Sequence, residues 1–559
     1  MKWWTCLLLC VAAINNVLGD DADEEWRMVR TAQGPVRGRK SPTGDYYSFH
    51  GIPYASVPKG RDRFKAPLPP PVWLSTIDAV DDGIVCPQVS LGLMSPTLKQ
   101  QEDCLVANIY VPDIDEKNLP VLVYVHGGAF QVGYGELLKY TALVRTKKII
   151  VVTFNYRLGI HGFLCLGTEG APGNAGMKDQ VALLRWVNKN IAGFGGNPKD
   201  VTIAGYSAGS ASVDLLMLSK SAVGLFNKVI PESGASLAAF SIQSDPVENA
   251  KTFARSQNFT NLDDIYALEA YYETVSFDVL TSDAFFDRTD STFLFSPCVE
   301  RKNSKDAFLD ESPLNILKSG NYKKVPLLYG FSNMEGLFRI DFFDTWKTVL
   351  NEKYSKFLSA DLQFGSVNEM EEVAKEIKEF YFENNAVDET TVLKYVDYFT
   401  DVIFAYPTLR AVKLHLEAGH DQIYLYEYSF VDDEIPEVPH TNVRGANHCS
   451  QSSAVADGKS FLDPDESKIS EKAKAMKQVI RDIWINFVIT GKPIPEGSSL
   501  PSWPPVGANR SPYMSLDQVL ELKGPLLEER ARFWDSIYEK HYRQPVPPPK
   551  HPPRPHTEL

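Results

Sequence analysis

Short apolar, β-branched runs recur along this chain, each followed by a Gly-containing turn: Val121 to Val125, Ile149 to Phe154, Val201 to Ala204 and Val325 to Tyr329, with a further apolar run from Gln422 to Tyr426. Runs of this length, apolar without alternation, fit strands buried on both faces. Between the second and third of them, Asp179 to Asn190 places Val181, Leu184 and Val187 at helical spacing with Leu183 beside them, which predicts an amphipathic helix. Strand, helix, strand repetition of this kind predicts an α/β fold built on a large, mostly parallel sheet covered by helices on both faces. Between Glu25 and about Tyr542 no linker, repeat or abrupt shift of composition appears, so residues 20–543 read as one domain. The stretches 241–318 and 345–398, with helical fragments such as Glu369 to Phe380, are expected to cover the sheet and wall a gorge.

The two ends differ from this body. Lys2, the apolar stretch Trp3 to Ile14 and Val17-Leu18-Gly19 have the three parts of a secretory signal over residues 1–19, which starts the mature chain near Asp20. The apolar stretch is about 12 residues where a membrane span needs roughly 20, which disfavours a signal anchor. Residues 544–559 carry Pro545, Pro547, Pro548, Pro549, Pro552, Pro553 and Pro555, which force extended or disordered backbone. The final His556-Thr557-Glu558-Leu559 differs at one position from an ER-retention signal of the H-D-E-L kind, so retention in the ER lumen and an ordinary chain end both stay open.

Composition narrows the partners. At 44% hydrophobic and 23% charged residues the chain buries a sizeable core, and a net charge of -14 repels nucleic acid and anionic membrane surfaces. No later segment is long and apolar enough to span a bilayer. Of seven cysteines, Cys6 and Cys10 leave with the signal; Cys86, Cys104, Cys165, Cys298 and Cys449 remain, an odd number that leaves at least one free thiol. Cys86 and Cys104 are the closest pair, and a bridge between them is predicted, closing a loop worth about 3 kcal/mol on the chain-entropy model. The sequon Asn258-Phe259-Thr260 is a candidate glycosylation site; Asn509-Arg510-Ser511 is weakened by Pro512.

The sharpest chemical signal is Gly205-Tyr206-Ser207-Ala208-Gly209, a G-x-S-x-G placed directly after the run Val201 to Ala204 and before a helical stretch, Ser212 to Leu218. That context makes it a nucleophile elbow, in which a tight turn lifts the serine hydroxyl clear of the sheet. A hydroxyl is a weak nucleophile and needs an adjacent base, itself oriented by an acid; in such folds the chain order is nucleophile, acid, histidine. His448, in the small-residue loop Gly445-Ala446-Asn447-His448, is the preferred base, with His440 its nearest rival and His415 and His420 assigned to a helix. Glu335 follows the strand Val325 to Tyr329 by a short loop and is the preferred acid, ahead of Asp341 and Asp344. In that arrangement Glu335 accepts the Nδ1 proton of His448 and leaves Nε2 free to take the proton of Ser207. His126-Gly127-Gly128-Ala129-Phe130, after its own strand, fits a loop whose main-chain amides stabilise the tetrahedral oxyanion.

These motifs together closely resemble the carboxylesterase/cholinesterase family, and within it the insect carboxylesterases. The resemblance also runs through Glu102-Asp103-Cys104-Leu105-Val106-Ala107-Asn108-Ile109-Tyr110, Asn155-Tyr156-Arg157-Leu158-Gly159, Phe194-Gly195-Gly196-Asn197-Pro198, Ser233-Gly234 and Asn333-Met334-Glu335-Gly336, covering essentially the whole mature chain. It implies the α/β-hydrolase fold, a Ser207, Glu335, His448 triad and an oxyanion hole from the amides of Gly128, Ala129 and Ala208. It further implies a supporting hydroxyl from Ser233 near the acid and the Cys86 to Cys104 bridge. No metal or organic cofactor is required, and the expected partner is a small uncharged carboxylic ester.

Departures from the family pattern shape the substrate expectation. Tyr206 and Ser210 stand where the family commonly has Glu or Gln and Gly or Ala, which moves juvenile-hormone-type esters down the ranking. The Cys86 to Cys104 loop holds no aromatic residue to attract a quaternary ammonium, which disfavours choline esters. Cys165, Cys298 and Cys449 do not fall into spaced pairs, so the family's other disulfides are expected to be absent. Two rivals remain: a neuroligin-like, non-catalytic binding protein, disfavoured by the presence of all three triad residues, and a lipase-like member acting on lipid esters.

Overall fold

The computed structural model describes residues 25–551 apart from 90–96, 283–286, 303–305, 459–464, 466 and 468; the expected leader 1–19 and the terminal HTEL lie outside the described residues. The strands in chain order are β1 (Trp26–Arg30), β2 (Pro35–Lys40), β3 (Tyr46–Pro53), β4 (Ile77–Asp78), β5 (Ile84–Val85), β6 (Lys99–Gln100), β7 (Val106–Pro112), β8 (Leu119–Val125), β9 (Ile150–Phe154), β10 (Gly196–Tyr206), β11 (Lys228–Glu232), β12 (Leu327–Ser332), β13 (Ile423–Tyr428), β14 (Tyr513–Leu516) and β15 (Glu521–Lys523). Thirteen of them form one sheet in the order β1-β2-β3-β7-β9-β8-β10-β11-β12-β13-β14-β15, with β4 beside β2. The run from β9 to β14 is parallel throughout. Antiparallel pairs finish both ends of the sheet. This is the α/β-hydrolase arrangement expected from the sequence.

Strand β8 explains why the apolar runs lack alternation. Val121, Val123 and Val125 point into one core, while Leu122 and Tyr124 point into a second core on the other face of the sheet. Both faces are covered, so both sets of side chains must be apolar. The helices that matter here are α1 (Ala175–Asn190), α2 (Ala208–Leu218), α3 (Val367–Phe382), α4 (Tyr406–Glu417), α5 (Ser450–Val455) and α6 (Glu471–Thr490). Val181, Leu184 and Val187 of α1 and Val213 and Leu215 of α2 pack into the first core; Ile480, Trp484 and Phe487 of α6 fill the second.

Several boundaries move for identifiable reasons. The strand expected from Val325 starts at Leu327, because Pro326 has no N–H to give to the ladder. Helix α4 holds His415, but His420 lies beyond its end, past Gly419 in the left-handed region. No helix of the described residues is long and apolar enough to cross a membrane. Of the proline-rich tail, residues 544–551 form no helix or strand and lie along the body: the Val546 N–H donates to Ser244 O (3.0 Å), Pro548 is buried, and His551 Nε2 sits 3.2 Å from Leu166 O.

Candidate active site

Ser207 joins the end of β10 to the start of α2 with φ 55° and ψ -122°, a conformation that non-glycine residues rarely adopt. Its N–H donates to the Glu232 carbonyl at the end of β11 (2.9 Å), which holds the turn in place. The flanking glycines are required by contact: a Cβ on Gly209 would land on the Val125 carbonyl and 2.8 Å from that of His126, and one on Gly205 would collide with the Gly209 carbonyl.

His448 reaches over this turn from the loop between β13 and α5. Its Nε2 lies 2.9 Å from Ser207 Oγ, and its Nδ1 lies 2.5 Å from Glu335 Oε2. Its ring stacks on Phe404, with centroids 4.1 Å apart. Glu335 is fully buried at the start of a 3-10 turn, Glu335–Phe342, that follows β12. Its second oxygen accepts the Ser332 N–H (2.7 Å) and the Ser233 hydroxyl. Ser233 in turn accepts Gln451 Nε2 (2.6 Å), and the Ser332 hydroxyl donates to Gln451 Oε1 (2.7 Å), so the acid is enclosed by a complete polar ring. The rival residues are elsewhere: His440, Asp341 and Asp344 are exposed, and Asp344 pairs with Lys347 at 2.8 Å.

The loop after β8 runs through Gly128 (φ 113°), Ala129 (φ 58°) and Phe130 (φ 61°), three consecutive left-handed residues. Successive backbone N–H groups in a turn of this kind can form an anion-binding concavity. Among the described residues, no acceptor takes the N–H of Gly128, Ala129 or Ala208. Behind the loop, His126 stacks on Tyr156 (4.4 Å), and burial pushes its imidazole down to about 4, so it is neutral at physiological pH.

A cavity of about 240 Å³ opens onto Ser207 and His448. Its walls are Leu137, Phe293, Phe338 and Phe404 with the backbone of Gly128 and Ala129, and among the described residues no Lys, Arg, Asp or Glu lines it. Phe293 comes from the first of the two stretches expected to wall the gorge. The second supplies α3 instead, whose Val373, Ala374 and Ile377 pack into the core.

Residues 25–534 match the model of the Carboxylesterase family. The chain belongs to that family. A carboxylic ester hydrolase of Bombus ignitus is 33% identical over 538 residues, covering 92% of this chain and 95% of its own. Pyrethroid hydrolase Ces2a of Mus musculus is 30% identical over 550 residues, covering 95% of each chain. Among solved structures, juvenile hormone esterase from Manduca sexta with OTFP covalently attached superposes with a TM-score of 0.81 at 33% identity, covering 92% of this chain and all of that one. The protein is a carboxylic ester hydrolase with the α/β-hydrolase fold.

One expectation about this esterase is overturned. Besides Cys86–Cys104, separated by 18 residues, Cys165 and Cys298 are bonded across 133 residues. The partner was hidden by distance along the chain. Asn174 brings the two segments together by donating to the Cys298 carbonyl and accepting its N–H, both at 2.8 Å. The remaining cysteine of the described residues, Cys449, is a buried thiol whose Sγ lies 3.3 Å from His448 Nε2 and which lines the cavity. Its place beside His448 in the sequence was the available signal, one that cysteine counting passes over. Phe404 and Gln451 carried no such signal.

Proposed function

We propose that this esterase hydrolyses small uncharged carboxylic esters by two-step acyl transfer. Ser207 attacks the ester carbonyl as His448 Nε2 takes its proton, and the alcohol leaves with that proton; water then releases the acid by the same route. Glu335, supported by Ser233, fixes the His448 tautomer and balances the imidazolium. The amides of Gly128, Ala129 and Ala208 receive the oxyanion. The observation that carries this reading is His448 standing 2.9 Å from Ser207 Oγ on one nitrogen and 2.5 Å from Glu335 on the other. The apolar cavity, which no charged side chain of the described residues lines, favours neutral acyl and alkoxy groups. Exposed Asn258, in the turn after the helix Pro246–Ser256, supports glycosylation in a secretory compartment, where two disulfides also belong.

The test is Ser207→Ala, assayed on p-nitrophenyl butyrate, with organophosphate labelling of the wild type. Hydrolysis is lost in the variant while thermal unfolding is unchanged, and the label maps to Ser207. A variant with full activity would rule the mechanism out.

A further inference from the structure

We propose that Glu232 is a positioning residue of this esterase: its buried carboxylate clamps the start of α5, and with it His448, onto the strand end that holds Ser207. The proposal rests on the Ser207, His448, Glu335 assignment above and deepens it.

Glu232 ends β11 and Ser233 follows it, at the point where the Ser207 turn, the Glu335 turn and α5 meet. The Glu232 carbonyl accepts the Ser207 N–H (2.9 Å), and the Ser233 hydroxyl donates to Glu335. The Glu232 side chain makes the third tie. Its Oε2 accepts the Ser452 hydroxyl (2.5 Å) from α5, the helix that begins two residues after His448. Its Oε1 accepts Trp484 Nε1 (3.0 Å) from α6 and the Tyr124 hydroxyl from β8. One dipeptide thus grips the nucleophile through its backbone, the acid through one side chain and the histidine-bearing segment through the other.

The carboxylate is fully buried, and its partners are neutral donors. Burial therefore outweighs the hydrogen bonds and pushes its carboxyl up to about 7. The titratable groups around it do not share that window: burial pushes Tyr124, Tyr140, Tyr426 and the Cys449 thiol up, so all four are neutral at physiological pH. Glu335 makes no hydrogen bond to the Glu232 side chain among the described residues; it is linked to α5 through Ser233 and Ser332, both of which bond Gln451. Lys477 and Arg481 of α6 are occupied at the far end of α5, on the carbonyls of Ser453, Val455 and Ala456. Ionised, Glu232 accepts all three donors at once. Protonated on Oε2, it donates to Ser452, whose hydroxyl reverses and accepts, and the charge-assisted hydrogen bonds of the clamp become weaker neutral ones. The clamp is therefore tightest above neutral pH and slackens below it.

The experiment compares wild type, Glu232→Gln, Ser452→Ala and the double variant on p-nitrophenyl butyrate across pH 5 to 9, with organophosphate labelling of each. Glu232→Gln lowers kcat about 10- to 100-fold, the cost of a displacement of roughly 1 Å at a reacting centre, and changes KM less than about two-fold. The wild-type acid limb of kcat is steeper than one ionisation allows; in Glu232→Gln it falls to a one-proton slope. Ser452→Ala loses part of the same kcat, and adding it to Glu232→Gln costs nothing further, because both remove one tie. If Glu232→Gln fails to fold, Ser452→Ala, which leaves the carboxylate two donors, carries the test through its own kcat loss and flattened limb. Wild-type kcat and an unchanged pH profile in the variants would overturn the clamp, as would additive losses or a fall in kcat without a change of profile. Failure of wild-type Ser207 to take the label would instead overturn the triad assignment.

Discussion

The unexpected Cys165–Cys298 bond allows a comparison in which most confounding terms cancel. All four bridged cysteines are buried, at 0 or 1% exposure, so replacing either pair with alanine leaves similar small voids, and the difference between the two double variants isolates the loops they close. Those loops span 133 and 18 residues. On the chain-entropy model the longer one restricts the unfolded chain by about 5 kcal/mol and the shorter by about 3 kcal/mol, a gap of roughly 1.8 kcal/mol from the logarithm of their ratio. A chain of this size unfolds with an entropy of about 1.1 kcal/mol/K, so Cys165→Ala/Cys298→Ala is expected to lower the Tm by about 5 °C and Cys86→Ala/Cys104→Ala by about 3 °C. Scanning calorimetry of both variants at one scan rate measures this directly. The long loop also links the two supports of the loop proposed to receive the oxyanion: Gly159, shortly before Cys165, donates to the Phe130 carbonyl (2.7 Å), and the Phe295 carbonyl, shortly before Cys298, accepts Gln131 Nε2. Esterase activity should therefore be lost at a correspondingly lower temperature in the first variant than in the second. An equal or larger loss of Tm on removing the short loop would refute the reasoning.

Three further outcomes follow from the site. Glu335→Gln places an amide against His448 Nδ1 and favours the wrong tautomer; kcat for p-nitrophenyl butyrate should fall about 10³- to 10⁴-fold with KM little changed, as expected for a triad acid. Gly209→Ala would drive a Cβ into the Val125 carbonyl, and since that obstacle is backbone, the variant should lose soluble yield and activity together, measured by expression and active-site titration. His126, His161 and His420 are buried, and desolvation pushes them down to about 4, about 3 and about 4. Below about pH 6.5 the unfolded chain binds protons that the native state refuses, so stability is lost as pH falls from about 6.5 toward 4, and the Tm measured across that range should drop.

What could be read from the chain, and what could not, follows the distance over which each feature is determined. The elbow was legible because its cause is local: glycines at 205 and 209 between an apolar run and a helical stretch leave Ser207 little choice of conformation. The strands were legible for a similar reason, although Pro326 moved one boundary by two residues. His448 and Glu335 stood on weaker ground, since a loop residue is fixed by what it meets and not by its neighbours in sequence; only the ordered set of motifs separated them from His440 and Asp341. Features that depend on several distant segments left almost no trace. Cys165 meets Cys298 because Asn174 bridges their segments, and the cavity wall draws Phe293, Phe338 and Phe404 from three parts of the chain. Glu232 is the extreme case. In the sequence it is one carboxylate beside Ser233, yet its surroundings come from β8, α5 and α6, and burial among them changes its chemistry. A residue whose behaviour is set by so many remote partners becomes legible only once the fold has assembled them, and that is also why its loss should be felt at His448, which it never touches.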